Sequence, residues 1–248
     1  MILVKYRNVL SKFIKLYIRQ QHSNIDLPFA VSNLGGNITL IPRRSNHENT
    51  LIWIHSENES CRQYVPWFNC EDSIVPFSTR VILPCAPERI SSGNIINSWY
   101  KIRRYTRTVE QCEGLLWSYN YIMNIITEEL ILLNKQYDRI FLGGFSQGCS
   151  LALWILLNCK IKFGGFCGFS GQLFPFADIN EQVSKDIPIL LYHGEEDDVV
   201  FVNKAVNTYE RLKERDLNVK LLIEKELGHW ISERGKSHLR YFLHRALT

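Results

Sequence analysis

The stretch that most limits what this chain can become is RIFLGGFSQGCSLALWIL, Arg139 to Leu156, an apolar run that breaks at glycines around one serine and then resumes. Arg139 to Gly143 reads as a buried strand, and the run from Gln147 onward as an apolar helix. A strand that feeds a helix through so few residues needs a sharp turn. Gly144 and Gly148 suit it, because such a turn brings backbone segments too close together for a Cβ. The turn pushes the Oγ of Ser146 out at the carboxyl edge of a sheet and leaves the amide of Gln147 at a helix N-terminus, with no intrahelical partner. A hydroxyl beside a free amide suits nucleophilic attack with stabilisation of an oxyanion. The bland alternative is a tight turn carrying an idle serine.

The rest of the chain supplies a matching frame. From about Asn37 onward, short β-branched runs alternate with longer helical patterns. The strand candidates are NITLIP, TLIWIH, RVILP, RIFLGG, FGGFCGFS, IPILLYHG and VKLLIEKE, and the clearest helices lie near 108–134, 147–159, 200–215 and 232–246. Strands such as RIFLGG and PILLYHG are apolar on both faces, as expected when helices cover both sides of a mostly parallel sheet. The predicted fold class is α/β. With 248 residues, 46% of them apolar, a single large core is within reach, and no repeat or Gly/Ser linker marks a boundary within 31–248. No uncharged apolar run reaches membrane-spanning length, so a soluble protein is expected.

Residues 1–30 differ from that body. They carry Lys5, Arg7, Lys12, Lys15 and Arg19 against Asp26, which accounts for the whole net charge of +4, and the remaining charges cancel. Ile2, Tyr6, Val9, Phe13, Leu16 and Tyr17 fall at helical spacing, so the segment reads as a basic amphipathic extension. A helix packed on the body, a peripheral membrane contact and an organelle-targeting segment all fit it. The neutral body argues against a nucleic-acid partner. The seven cysteines are odd in number, scattered and mostly within apolar runs, without a Cys-x-x-Cys pair. They are expected to be reduced and buried, in a cytoplasmic compartment.

Ser146 needs a base, and in a strand-turn-helix architecture of this kind an acid and then a histidine follow the serine along the chain. Of the late histidines, His238 and His244 belong to the terminal amphipathic helix, whereas His229 follows Gly228 in a loop after VKLLIEKE. A base reaching over the sheet edge belongs there. For the acid, YHGEEDDVV ends a buried strand with Glu195, Glu196, Asp197 and Asp198, and composition does not choose among them. His193 in the same stretch reads as a hydrogen-bonded strand-end residue, since no metal-binding spacing accompanies it.

These segments together resemble the acyl-protein thioesterase and carboxylesterase group of α/β-hydrolases, also called the phospholipase/carboxylesterase family, over roughly Thr50 to Leu247. LGGFSQG (Leu142–Gly148) is similar to its nucleophile motif and LPCAP (Leu83–Pro87) to its Pro-x-Ala-Pro turn. SWY (Ser98–Tyr100) is similar to its Ser-Trp-Phe-Asp segment, GFSG (Gly168–Gly171) to its Leu-Ser-Gly strand end, and HGEEDDVV to its His-Gly-x-x-Asp-x-Val-Val. The resemblance implies the α/β-hydrolase fold, Asp197 as the acid and a triad of Ser146, Asp197 and His229. It also implies oxyanion donors from the amides of Gln147 and Glu57. Two positions depart from the pattern. HSENES (His55–Ser60) stands where the family has His-Gly-x-Gly-Asp, and Lys101 stands where its aspartate follows the aromatic pair. In HSENES, Asn58 tolerates a left-handed conformation better than Ser56 does. A lost oxyanion donor costs on the order of a hundredfold in turnover.

The expected function is hydrolysis of an acyl thioester or carboxylic ester, including those of S-acylated proteins, through an acyl-enzyme and without metal or organic cofactor. The alternatives are a general short-chain carboxylesterase or lysophospholipase, and a catalytically weakened hydrolase-fold binding protein. The aromatic loops YVPWFNCEDSIVPF and GQLFPFA suit an apolar trough, and core packing explains them equally well.

Overall fold

The computed structural model describes residues 27–91, 93–102 and 108–247. The amphipathic pattern of the first 26 residues lies outside them, and the first strand already begins at Phe29. Ten strands are described: β1 (Phe29–Leu34), β2 (Asn37–Pro42), β3 (Asn49–Ile54), β4 (Thr79–Leu83), β5 (Glu88–Ser91), β6 (Asn94–Asn97), β7 (Ile140–Phe145), β8 (Gly165–Phe169), β9 (Ile189–Gly194) and β10 (Val219–Glu224). The helices are α1 (Val65–Phe68), α2 (Leu115–Leu132), α3 (Gln147–Asn158), α4 (Val202–Lys213) and α5 (Glu233–Leu247).

Eight strands form one sheet in the order β1-β2-β4-β3-β7-β8-β9-β10, and β5 and β6 pair as a separate hairpin. Both pairings of β2 are antiparallel and all others in the large sheet are parallel, so β2 alone runs against the rest. The chain leaves β3 for β4 on one side and returns to β7 on the other. A crevice outside the carboxyl ends of the strands at such a reversal is where open α/β sheets bind ligands.

The period of two along each central strand divides the core into two layers. Ile52 and Ile54 of β3 and Leu142 of β7 join one, packed with α2 and α3 and with Leu212 of α4. Leu51 and Trp53 of β3 and Phe141 of β7 face the other, where Leu239, Leu243 and Leu247 of α5 and Phe68 of α1 cover them. Helices therefore lie on both faces of the sheet, and ten of the twelve residues of α3 are buried, as its apolar run requires.

Several elements differ from expectation. The helix expected over 108–134 begins at Leu115, because Gly114 takes a left-handed φ of 84° and Lys101 pairs with Glu113 as an isolated bridge just before it. β1 lies ahead of the expected strands and turns into β2 through Gly35 and Gly36, whose positive φ of 62° and 88° is the signature of a two-residue hairpin turn. The cysteine expectation is corrected at one pair: Cys61 and Cys85 form a disulfide, their Cα atoms brought to 5.3 Å by the loops that follow β3 and β4. Cys112, Cys149, Cys159 and Cys167 are free and buried, as expected. The aromatic loops divide between the layers, Tyr64, Phe68 and Val75 in one and Leu173 and Phe174 in the other.

Candidate active site

Ser146 links β7 directly to α3 with φ 52° and ψ −115°, a conformation that costs a non-glycine residue about 1–3 kcal/mol. The surroundings enforce it. The Ser146 amide donates to the Phe169 carbonyl at 2.8 Å, and its carbonyl accepts from the Ser150 amide at 3.0 Å. A Cβ on Gly148 would sit 2.1 Å from the Ile54 carbonyl oxygen, and one on Gly144 would sit 2.5 Å from the same atom. The two glycines thus let the turn press against the end of β3.

The loops that carry Asp197 and His229 are tied to each other. β9 and β10 stay in parallel register through His193–Ile223 and Gly194–Glu224. Beyond them, the Glu195 amide donates to the Glu224 carbonyl at 2.8 Å and the Glu196 amide to the Leu227 carbonyl at 2.9 Å. Asp197 and His229 therefore emerge side by side. His229 Nδ1 lies 2.7 Å from Asp197 Oδ2, and its Nε2 lies 2.9 Å from Ser146 Oγ. An ionised carboxylate only accepts, so Nδ1 carries the proton and Nε2 is left to accept from the serine hydroxyl. Phe145 lies against the imidazole, ring centroids 5.0 Å apart.

Asp197 is buried, with its side chain wholly shielded from solvent. Burying a charge is costly unless its lone pairs are met. Oδ1 accepts from the amides of Val199 and Val200 at 3.0 and 2.8 Å, while Oδ2 faces His229 and, at 3.2 Å, His193 Nε2. His193 Nε2 also meets the Val200 carbonyl at 2.6 Å, so that nitrogen bears a hydrogen. Burial holds the His193 pKa below its ordinary value, so it supplies a neutral donor rather than a second cation. Glu195, Glu196 and Asp198, the other carboxylates of the stretch, are exposed. His238 and His244 lie on α5, as expected.

Gln147 and Glu57, the two residues expected to supply oxyanion donors, touch through their side chains, Gln147 Nε2 lying 3.3 Å from Glu57 Oε1. Among the described residues the amide of Gln147, first in α3, makes no backbone hydrogen bond, and neither does that of Glu57. The amides flanking Glu57 are both engaged: Ser56 N donates to Glu59 Oε2 at 3.0 Å, and Asn58 N to the Asn97 carbonyl at 2.7 Å. Asn58 has φ 58°, and Ser56 is not among the residues with positive φ. The Glu59 carboxylate, which also accepts from Tyr64 OH at 2.6 Å, holds a loop in which side chains replace glycines. His55 anchors its start. Nε2 accepts from the Ala86 amide at 3.0 Å, so Nδ1 donates to the Ser56 carbonyl at 2.6 Å, and burial lowers its pKa to favour that neutral form.

Sequence reasoning gave no role to the Gln147 side chain. Its Oε1 accepts from Trp99 N at 2.7 Å and its Nε2 donates to the Tyr100 carbonyl at 2.9 Å, pinning the Ser98–Tyr100 segment to the start of α3. Trp99 and Tyr100 are buried, consistent with packing. The Lys101 amide, in place of the pattern's aspartate, donates to the Glu113 carbonyl at 2.8 Å. Cys149, one turn into α3, has its thiol pushed up to about 12 by burial and offers no thiolate. Among the described residues no cluster of His, Cys, Asp or Glu could hold a metal, and no helix is long and apolar enough to cross a membrane.

Comparison with known proteins covers the same region. Acyl-protein thioesterase 1 of Gibberella zeae is 28% identical over 84% of this chain and 94% of its own length. The Neurospora crassa protein of that name is 30% identical over 77% and 83% of the two chains. Among solved structures, Zea mays acyl-protein thioesterase 2 superposes with a TM-score of 0.69 at 21% identity, covering 87% of this chain and all of that one. Esterase PE8 also reaches 0.69, at 19% identity over 90% of this chain. At such identities the structural likenesses establish the α/β-hydrolase fold. The family model for phospholipase/carboxylesterase matches residues 36–247, which include both glycines of the serine turn and the acid and base loops. On that match, extending over most of the chain, this protein belongs to the phospholipase/carboxylesterase family of hydrolases.

Proposed function

We propose that the chain is a serine hydrolase of acyl thioesters and carboxylic esters, with S-acylated proteins as its substrate class. The observation that carries this reading is the unbroken line from Ser146 Oγ through His229 to Asp197, at 2.9 and 2.7 Å. The names of its sequence relatives, acyl-protein thioesterases, support the substrate class.

In the first step Ser146 Oγ attacks the acyl carbonyl carbon as His229 Nε2 takes the hydroxyl proton. The carbonyl π electrons move to oxygen, and the amides of Gln147 and Glu57 receive the oxyanion. Asp197 fixes the His229 tautomer and offsets the imidazolium charge. When the tetrahedral adduct collapses, the carbon–sulfur or carbon–oxygen bond breaks and the leaving group takes the proton from His229. Water then attacks the acyl-serine, His229 removes its proton, and collapse returns that proton to Ser146 with release of the carboxylic acid. No cofactor enters the balance.

The test is a fluorophosphonate probe on the full chain, followed by p-nitrophenyl esters of rising acyl length beside an S-palmitoyl peptide. Labelling that disappears in Ser146→Ala, together with release of thiol from the peptide, is expected. An unlabelled wild type would reduce the chain to a binding protein, and turnover confined to short esters would make it a general carboxylesterase.

A further inference from the structure

Beside the triad, Ser98 ties together the two residues assigned as oxyanion donors. Its Oγ lies 3.0 Å from Glu57 Oε1 and 3.1 Å from Gln147 Nε2, and those two atoms are themselves 3.3 Å apart. Proton counting orders the contacts. A serine hydroxyl has one hydrogen, and an ionised carboxylate is a stronger acceptor than the Tyr100 carbonyl, also at 3.0 Å, or Gln147 Oε1 at 3.4 Å, so the hydrogen goes to Glu57. The Ser98 lone pairs are then free to accept from Gln147 Nε2. The orientation of that amide is fixed independently, because its Oε1 faces the Trp99 N–H at 2.7 Å.

Ser98 is itself immobilised. It is buried, its amide donates to the Pro87 carbonyl at 3.0 Å, and its carbonyl accepts from Arg89 Nε at 2.9 Å. Glu57, by contrast, is exposed in a loop without glycine. Its side chain has hydrogen-bonded partners only in Ser98 and Gln147 among the described residues.

We propose that Ser98 is a positioning residue that cross-braces the oxyanion hole, fixing the Glu57 amide against the Gln147 amide through their two side chains. The inference rests on the serine-hydrolase reading above and adds the device by which a loop of side chains does what glycines do in the family pattern. Small displacements of a donor amide matter most when negative charge has developed on the oxygen. The brace therefore acts on the transition state and leaves ground-state binding nearly untouched.

The test uses the full chain and a p-nitrophenyl ester. Ser98→Ala is expected to lower kcat about tenfold, part of the hundredfold or more that follows loss of a whole oxyanion donor, with KM moving less than twofold. Affinity for a trifluoromethyl ketone, which forms an oxyanion on Ser146, should fall in step with kcat. Ser98→Thr, which keeps the hydroxyl, should recover most of the loss. Glu57→Ala, at an exposed side chain where folding is not at issue, should match Ser98→Ala, and the double variant should lose no more than either single one. Unchanged kcat in both single variants, additive losses, or a change confined to KM would overturn the brace. Higher activity in Glu57→Ala would overturn it too, by showing that the carboxylate mainly repels the oxyanion. Failure of the underlying reading is seen separately, as a wild type that neither reacts with fluorophosphonate nor turns over ester.

Discussion

Two buried carboxylates stand at opposite ends of the sheet, each beside a histidine, and among the described residues only one is joined through that histidine's second nitrogen to a serine hydroxyl. Asp197, at the carboxyl ends of the strands, accepts from two backbone amides and faces His229, whose far nitrogen meets the hydroxyl of Ser146. Glu129 of α2 lies at the amino ends of β3 and β4. Its Oε1 is 3.1 Å from Arg80 Nε, and its Oε2 accepts from Thr50 Oγ1 at 2.7 Å. His47 Nε2 lies 2.8 Å from that same Thr50 oxygen and 3.7 Å from the carboxylate. Since Thr50 spends its hydrogen on Glu129, His47 Nε2 must donate to it and offers that hydroxyl no lone pair. A carboxylate and a histidine become an acid–base relay only where the histidine has a free lone pair aimed at a hydroxyl. At the other end the same two groups are structural, with Arg80 rather than the histidine offsetting the carboxylate.

The sharpest way to break this contrast is to exchange the charge at each end. Asp197→Asn keeps an oxygen for the Val199 and Val200 amides but offers His229 a donor, which reverses the ring tautomer. On the proposed mechanism kcat should fall roughly 10⁴-fold with the fold retained, measured as ester turnover beside a thermal melt. A small loss would mean that Asp197 is as structural as Glu129. At the other end, Arg80→Met strands a buried carboxylate and should cost about 3–5 kcal/mol in a urea melt, with most of that recovered in Arg80→Met/Glu129→Leu. Fluorophosphonate labelling of Ser146 should not change in the folded fraction. If labelling falls with stability held constant, the two ends are coupled and the contrast is wrong.

How far either end is legible in the sequence depends on whether its cause is local. Strands such as Ile140–Phe145 and Ile189–Gly194 are buried at every position, so their apolar runs announce them. The serine turn is legible because its glycines, strand and helix lie within one short stretch, and His229 because its loop follows the last strand. Asp197 could not be told from its three acidic neighbours by residue type. The resemblance to the family pattern singles it out, and in the structure its burial, its bond to His229, the amides of Val199 and Val200 and the His193 contact do so, none of which leaves a pattern in composition. The same holds for the Glu59 clasp, for Cys61 and Cys85, 24 residues apart, and for Gln147 and Glu57, 90 apart. These pairings are made by the topology of the sheet, which brings the ends of β3, β4 and β7 together. β1 and the β5–β6 hairpin are marked in the sequence only by turn residues, Gly35–Gly36 and Ser-Gly-Asn at 92–94, because the adjoining runs are short.

The smallest expected effect tests the structural end alone. Burial, aided by the Arg80 charge, lowers the His47 pKa from 6.5 to about 4. The unfolded chain therefore binds a proton between these values that the native protein refuses, and stability must rise with pH across that window. The contribution is present in full above pH 6.5 and is lost as the pH falls toward 4. Its ceiling is about 3 kcal/mol, reduced because the ring keeps some contact with water. Two other terms overlap it. His55 and His193 are shifted downward as well and steepen the same slope, whereas burial raises the Glu129 pKa and tilts stability the opposite way above its ordinary 4.5. A wild-type curve thus reports only a sum. The difference between wild type and His47→Gln, from urea melts at intervals between pH 4.5 and 7.5, isolates the histidine. That difference should widen as the pH rises to 6.5 and then stay level. Parallel curves would show that His47 takes up its proton in the native state, with Glu129 as an ion-pair partner, and the amino end of the sheet would then hold a titrating pair rather than a closed one.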